Sequence, residues 1–253
     1  VSWIQRVLGA TRSIGERNTG LPTSSNGASS FHLAWRWDGR PPELVEVSAT
    51  LTVVQPPTVD RLYFWALQAS FVEGAGPGRR HGGGHAGLQW HPRHPGSTAV
   101  NWGGYGADGR ELGGSISPLP SALGNPNTRD LSWEPGRPYR LAIHRGIEGW
   151  AASVDGLVVR ELHVGGDRLA DILVWSEVFA RCDDPSSVVR WSELSATTVD
   201  GRVVRPVAVV TRYQSVPDGG CSNTSSDPDG TGAVVQRTGV ARTTGPATVI
   251  PLG

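Results

Sequence analysis

The sequence predicts an all-β protein, a two-sheet antiparallel sandwich with at most one short N-terminal helix, and three observations predict it. Thirty-four glycines and nineteen prolines are spread along the 253 residues instead of gathering in a linker. Between them lie short runs rich in Val, Trp, Leu and Thr, the spacing expected of a sandwich or barrel. Asp155-Gly156 and Asp200-Gly201 sit between extended runs, and Asp-Gly is the strongest short hairpin signal.

Taken in order, residues 2–16 read as the one candidate helix, because Trp3, Ile4, Val7, Leu8 and Ile14 lie roughly on one face. Residues 17–30 read as loop, so residues 1–30 form a helical and extended lead-in. The strands are "FHLAWRW", "ELVEVSATLTVV", "RLYFWALQASFVE", "HAGLQWH", "TAVNWGG", "PYRLAIHR", "GWAASVDG" with "LVVRELHV", "DILVWSEVFARC", "VVRWSELSATTV" and "RVVRPVAVVTRY". The tail from 217 reads as loop before a last short strand near "AVVQRT". No internal repeat argues for two domains, so residues 31–253 are taken as one sandwich with a loop-rich tail.

Composition excludes several functions. All 23 basic residues are arginine and balance 23 acids, so the chain offers no broad phosphate-neutralising field for nucleic acid or an anionic membrane. Without lysine, a P-loop nucleotide site or a Schiff-base cofactor has no amine; no cofactor is expected. No apolar run approaches the eighteen or so residues of a membrane span. The opening "VSWIQRVLGATRSIG" carries no secretory signal pattern, and Val1 is either a trimmed end or an unusual start codon; extracellular and cytoplasmic locations both stay open. Cys182 and Cys221 form either one disulfide or two packed thiols.

The Gly-rich strand "GGGHAGLQW", the strand "SWEPGRPYRLAIHR" and the hairpin "GWAASVDGLVVREL", following an aromatic strand, resemble the concanavalin A-like lectin and glucanase superfamily, in its functionally uncharacterised bacterial branches. The resemblance runs over roughly residues 30 to 215. It implies a jelly roll whose concave sheet carries a glycan site. The E-x-D-x-x-E acid strand of the glucanases is missing here, as is the arginine-glutamate strand of jelly-roll alginate lyases, and "LQWH" is only loosely similar to their Q-x-H element. Fold therefore transfers better than activity.

Within "GRRHGGGHAGLQWHPRHPGSTAVNWGGYG" stand His81, His85, His91 and His94. Alternation along "HAGLQWH" sends His85, Gly87, Gln89 and His91 to one face and Ala86, Leu88 and Trp90 to the core. In the returning strand it separates Asn101 from Val100 and Trp102, and the simplest register sets Asn101 beside Gln89 and His91. A metal site fits poorly. His85 and His91 are about 20 Å apart along an extended strand, against metal–nitrogen bonds near 2 Å. Exposed histidines on a hairpin are the plain alternative. The functional reading is a groove for an oligo- or polysaccharide, with Gln89, His91 and Asn101 as polar contacts and His85 and Tyr105 at the periphery, Tyr105 supplying an aromatic platform. Trp65, Trp90 and Trp175, within apolar runs, are expected in the core.

For an enzyme on the same groove, a glycosidase needs two carboxyl groups. The candidate pair is Glu177 in "VWSEV" and Glu193 in "RWSEL", each two residues after a tryptophan on strands expected to be neighbours. The blander reading has these glutamates answering Arg181 or Arg190. A lyase would use His91 as base with Tyr105. A third reading is an assembly module with no small ligand.

Overall fold

The computed structural model describes residues 17–74 and 78–253; the expected helix at 2–16 lies outside the described residues. The strands are β1 (Ser29–Arg36), β2 (Leu44–Gln55), β3 (Tyr63–Glu73), β4 (Arg79–Trp90), β5 (Thr98–Gly106), β6 (Thr128–Asp130), β7 (Pro138–Arg145) and β8 (Trp150–Val154). They continue with β9 (Leu157–Leu162), β10 (Arg168–Val178), β11 (Val188–Thr198), β12 (Val203–Val204), β13 (Ala208–Tyr213), β14 (Thr224–Pro228), β15 (Val234–Thr238) and β16 (Val249–Pro251).

Every described pairing is antiparallel. One sheet runs β16-β13-β1-β10-β3-β4-β5-β6. The other runs β14-β15-β11-β2-β7-β8-β9, with β12 beside β11. A single residue pair, Leu169 with Leu44, links the two where β10 meets β2. The inner faces close on one core. Phe31, Leu33, Trp65, Leu67, Leu88 and Trp102 come from the first sheet, and Leu51, Leu141, Trp150 and Trp191 from the second. The stacked rings of Phe71 and Trp150, with centroids 5.5 Å apart, join the sheets directly. Burying each such side chain contributes roughly 1.5–3 kcal/mol.

Local chemistry explains the boundaries. The β8–β9 hairpin turns on Asp155 (φ 50) and Gly156 (φ 81), the pair of left-handed residues that a two-residue turn demands. Pro206 has no N–H to give a ladder, so the run read as one strand at 202–213 divides into β12 and β13. β4 begins six residues before the expected "HAGLQWH", at Arg79, and carries its glycines within the ladder. At Gly84 an added Cβ would meet the Trp102 ring at 2.6 Å and Phe71 at 2.9 Å; the glycine makes room for two core aromatics. In the tail, β14 and β16 are short strands that the sequence reading leaves as loop.

Cys182 and Cys221 are joined by a disulfide, with their Cα atoms 5.3 Å apart. It ties the segment after β10 to the segment before β14, and Asn18 Nδ2 contacts Cys182 Sγ at 3.3 Å. With a sequence separation of 39 between the two positions, loop-closure entropy assigns the bridge about 4 kcal/mol. A Cys182→Ser/Cys221→Ser double variant is expected to lose stability of that order, read as a lower midpoint in urea unfolding; an unchanged midpoint would show that the bridge does not constrain the unfolded chain.

Candidate functional site: a polar groove on the first sheet

Directly opposed residues of paired strands share a face, so the ladders place side chains in rows across the outer face of the first sheet. One row reads His32, Trp175, Ala66, Gly87, Asn101 and Thr128. The next reads Ser30, Glu177, Phe64 and Gln89. On the other side lie Gln68 and His85, themselves a direct pair. These rows line a depression of about 790 Å³. The residues between them face the core, where Leu33, Val174, Trp65, Leu88 and Trp102 are fully or almost fully buried.

Small residues fill the middle of the first row. From Trp175 to Asn101 is three inter-strand steps, roughly 14 Å, and only Ala66 and Gly87 lie between them. Gly87 is required by the close approach of β3: an added Cβ would fall 1.9 Å from the Trp65 carbonyl oxygen. One wall is aromatic. Phe64 and Trp175 meet edge-on at 4.9 Å, and His85 packs edge-on against both, at 5.5 and 5.8 Å.

Among the lining side chains several polar atoms lack partners. Gln89 Oε1, Asn101 Oδ1 and Trp175 Nε1 are buried with no hydrogen-bond partner among the described residues. The Asn101 side chain is nevertheless anchored: its Nδ2 donates to Thr128 Oγ1 at 2.9 Å. At Gln89 the main chain is held, Trp133 Nε1 donating to its backbone carbonyl at 3.1 Å. Glu177 Oε1 accepts from Asn26 Nδ2 at 3.0 Å. His91 stands just past β4 in a turn closed by the His94 N–H donating to its carbonyl, 2.9 Å. It is 9% exposed yet lines the depression.

Burial sets the charge state. It pulls His85 down to about 4. It does the same to His32, with help from Arg212, and to His91, with help from His94 and Arg93. At neutral pH all three imidazoles are uncharged. Burial also raises Glu177 above its usual carboxyl value, against the opposing hydrogen bond from Asn26.

His85, Gln89, His91, Asn101, Tyr105 and Glu177 thus all line one depression. Details differ from the sequence reading. Asn101 opposes Gly87, with Ala99 opposite Gln89. His85 packs against Trp175 and Phe64 in the aromatic wall, and Tyr105 is 56% exposed.

The pairing of Glu177 with Glu193 is overturned. After β10 the chain crosses to the second sheet, where β11 lies between β2 and β15. A register break between Ser192 and Ser195, with Glu193 at φ 52, also interrupts alternation. Glu193 therefore faces outward while Trp191 is buried, and its carboxylate accepts from Thr50 Oγ1 at 2.7 Å. Among the described residues neither glutamate answers an arginine: Arg190 pairs with Asp229 and Arg181 with Asp183. Trp175, expected in the core, lines the groove. His81 bonds Glu73 at 3.0 Å and His94 bonds Asp130 at 2.6 Å. Among the described residues, no three His, Cys, Asp or Glu side chains are grouped to hold a metal ion.

His32, Phe64 and Gln68 line the depression as well, and of these the sequence carries a signal for His32. In "SFHLAWR" the core residues Phe31, Leu33 and Trp35 alternate with His32 and Ala34. In "DILVWSEV" Ile172, Val174 and Val178 are buried, leaving Trp175 with Glu177 on the other side.

No protein-family model matches the chain, and no curated protein does. Among solved structures it is similar to scytalido-glutamic peptidase bound to a peptide-based transition-state analogue, at 10% identity and TM-score 0.42, covering 87% of this chain and 98% of that one. It is similar to carbohydrate-binding module CBM66 from Bacillus subtilis, at 10% identity and TM-score 0.35, covering 70% and 90%. It is also similar to the kappa-carrageenase of Pseudoalteromonas carrageenovora in complex with an oligotetrasaccharide, at 11% identity and TM-score 0.33, covering 65% and 74%. Likenesses this distant carry no argument about activity.

The imidazoles make stability depend on pH. Between the usual 6.5 and about 4 the unfolded chain binds protons that the folded chain refuses, so stability falls as pH drops through that window. Glu177 acts with the opposite sign, because its raised value favours the folded state while the carboxyl stays protonated. The thermal midpoint is expected to fall from pH 7 to 4, and less steeply in a His32→Gln/His85→Gln double variant. Parallel curves for the two proteins would show that these imidazoles are not held neutral.

Proposed function

We propose that the depression on the first sheet binds a glycan, in the manner the concanavalin-like resemblance implies. One observation carries the reading: Gln89 Oε1, Asn101 Oδ1 and Trp175 Nε1, on three side chains lining the depression, are buried without partners among the described residues. An unmade buried hydrogen bond costs about 1–3 kcal/mol. Sugar hydroxyls both donate and accept, so an oligosaccharide laid across the strands suits the two acceptors and the donor. The apolar face of one of its rings suits the wall of Phe64 and Trp175. A recessed, polar-lined face supports ligand binding over a purely assembling module.

Turnover is the second reading, favoured by the raised Glu177 beside neutral imidazoles. Glu177 is the one carboxylic acid among the described residues lining the depression, so a glycosidase with two flanking carboxyl groups has no second acid there. Catalysis on this face would instead use Glu177 as its acid–base group, with His85 or His91 as a neutral partner.

A glycan array at neutral pH is the test. Binding is expected, weakened about tenfold or more in Gln89→Ala and in Asn101→Ala, as loss of one good hydrogen bond requires. Unchanged binding in both variants removes this face, and an array with no binding removes the glycan. Release of reducing ends or unsaturated sugars that disappears in Glu177→Gln moves the reading to an enzyme.

A further inference from the structure

A second cavity, of about 540 Å³, opens at the corner where the two sheets are linked, and it shares no lining residue with the groove. Its apolar wall is formed by Trp35, Trp37, Pro41, Pro42, Leu169 and Ile172. Two features of β10 shape it. Leu169 pairs with Leu44 and draws the sheets together. Just beyond, the register with β3 breaks between Ala170 and Leu173, and Asp171 adopts a left-handed backbone at φ 48. Such a conformation in a residue other than glycine is strained and persists where its surroundings over-determine it. Here Arg80 holds the Asp171 carboxylate and also donates to Ser70 Oγ at 2.7 Å.

Two buried donors on lining side chains have no acceptor among the described residues. The side chain of Arg168 is only 8% exposed. Its Nη1 donates to Glu43 Oε1 at 2.7 Å and its Nε to Asp167 Oδ1 at 3.2 Å. Its Nη2 finds no partner among the described residues, and neither does the indole Nε1 of Trp35, a residue itself 8% exposed. A protein rarely leaves two such groups unmatched in one cavity wall.

Charge decides which acceptor fits. Arg168 already pairs with two carboxylates and Arg80 with a third, so the charge of both guanidiniums is answered, and the other arginine of the lining, Arg40, is exposed to solvent. An anion would give up its hydration for no unanswered buried charge, whereas a neutral oxygen supplies the acceptor that Nη2 lacks. We infer that this cavity is a second binding site, for an uncharged molecule whose carbonyl oxygen accepts from Arg168 Nη2 and Trp35 Nε1. The flat apolar part of that molecule packs against the tryptophans, whose rings lie edge-on at 5.9 Å, and against the two prolines. The site stands independently of the glycan reading.

The test uses acetophenone as a neutral carbonyl probe, with ethylbenzene lacking the oxygen and benzoate carrying a charge. Each is titrated into 15N-labelled full-length protein at neutral pH, following the Trp35 indole N–H, identified by its loss in Trp35→Phe. Acetophenone is expected to shift that resonance saturably and to bind about tenfold more tightly than ethylbenzene, the increment of one net hydrogen bond, with benzoate the weaker of the two oxygen-bearing probes. Ala170→Phe, which fills the cavity from a partly exposed position, abolishes the shift. If that variant fails to fold, Trp37→Ala, at the half-buried wall, weakens binding in its place. Glu177→Gln, in the groove, leaves the titration unchanged. The inference is overturned by an absence of saturable shift, by ethylbenzene binding as tightly as acetophenone, by benzoate binding more tightly, or by full binding in the wall variants.

Discussion

The structure depends on burial of one aromatic-rich layer between two sheets. Trp65, Trp102, Trp150 and Trp191, each at most 1% exposed, hold the sheets in register through a core that excludes water. Because side chains alternate along a strand, committing Phe31, Leu33, Val174, Trp65, Leu88 and Trp102 inward commits their neighbours outward. The polar composition of the groove is thus the reverse side of the core. A one-residue slip of β4 would exchange Gln89 for Leu88 on the outer face, exposing a core residue and burying an amide.

Glycine makes this economy workable at the two places where volume is limiting. Gly84 on the inner face gives space to the Trp102 and Phe71 rings, and Gly87 on the outer face admits the carbonyl of the neighbouring strand. The same strand therefore packs tightly on one side and leaves a low surface at Gly87 on the other. Two polar side chains of the groove are positioned by bonds made elsewhere: Asn101 through Thr128 and Glu177 through Asn26. Side chains held in this way present their remaining hydrogen-bonding capacity at little further entropic cost, which is what preorganised recognition requires.

β10 connects the two recessed regions. Its C-terminal half gives Trp175 and Glu177 to the groove; its N-terminal end gives Arg168 and Leu169 to the corner cavity. Between them the break at Asp171 resets alternation, so that Leu169 and Ile172 are both buried although three residues apart. A regular strand could not supply both surfaces with the residues it has.

The sequence alone determined the all-β class, most strand positions, the hairpin at Asp155-Gly156, and the division of "HAGLQWH" into a core face and a polar face. These are local properties, set by alternation and turn chemistry over a few residues. Tertiary structure decided which strands became neighbours. "VWSEV" and "RWSEL" read alike, but the chain changes sheets between them, and a bulge at Glu193 turns that carboxylate away. Strand order also brought His32 and Trp175, far apart in the chain, into one row with Asn101, and set the tryptophan of an apolar run against the groove. Pairing partners are chosen by the long-range closure of a shared core, and no window of adjacent residues contains that information.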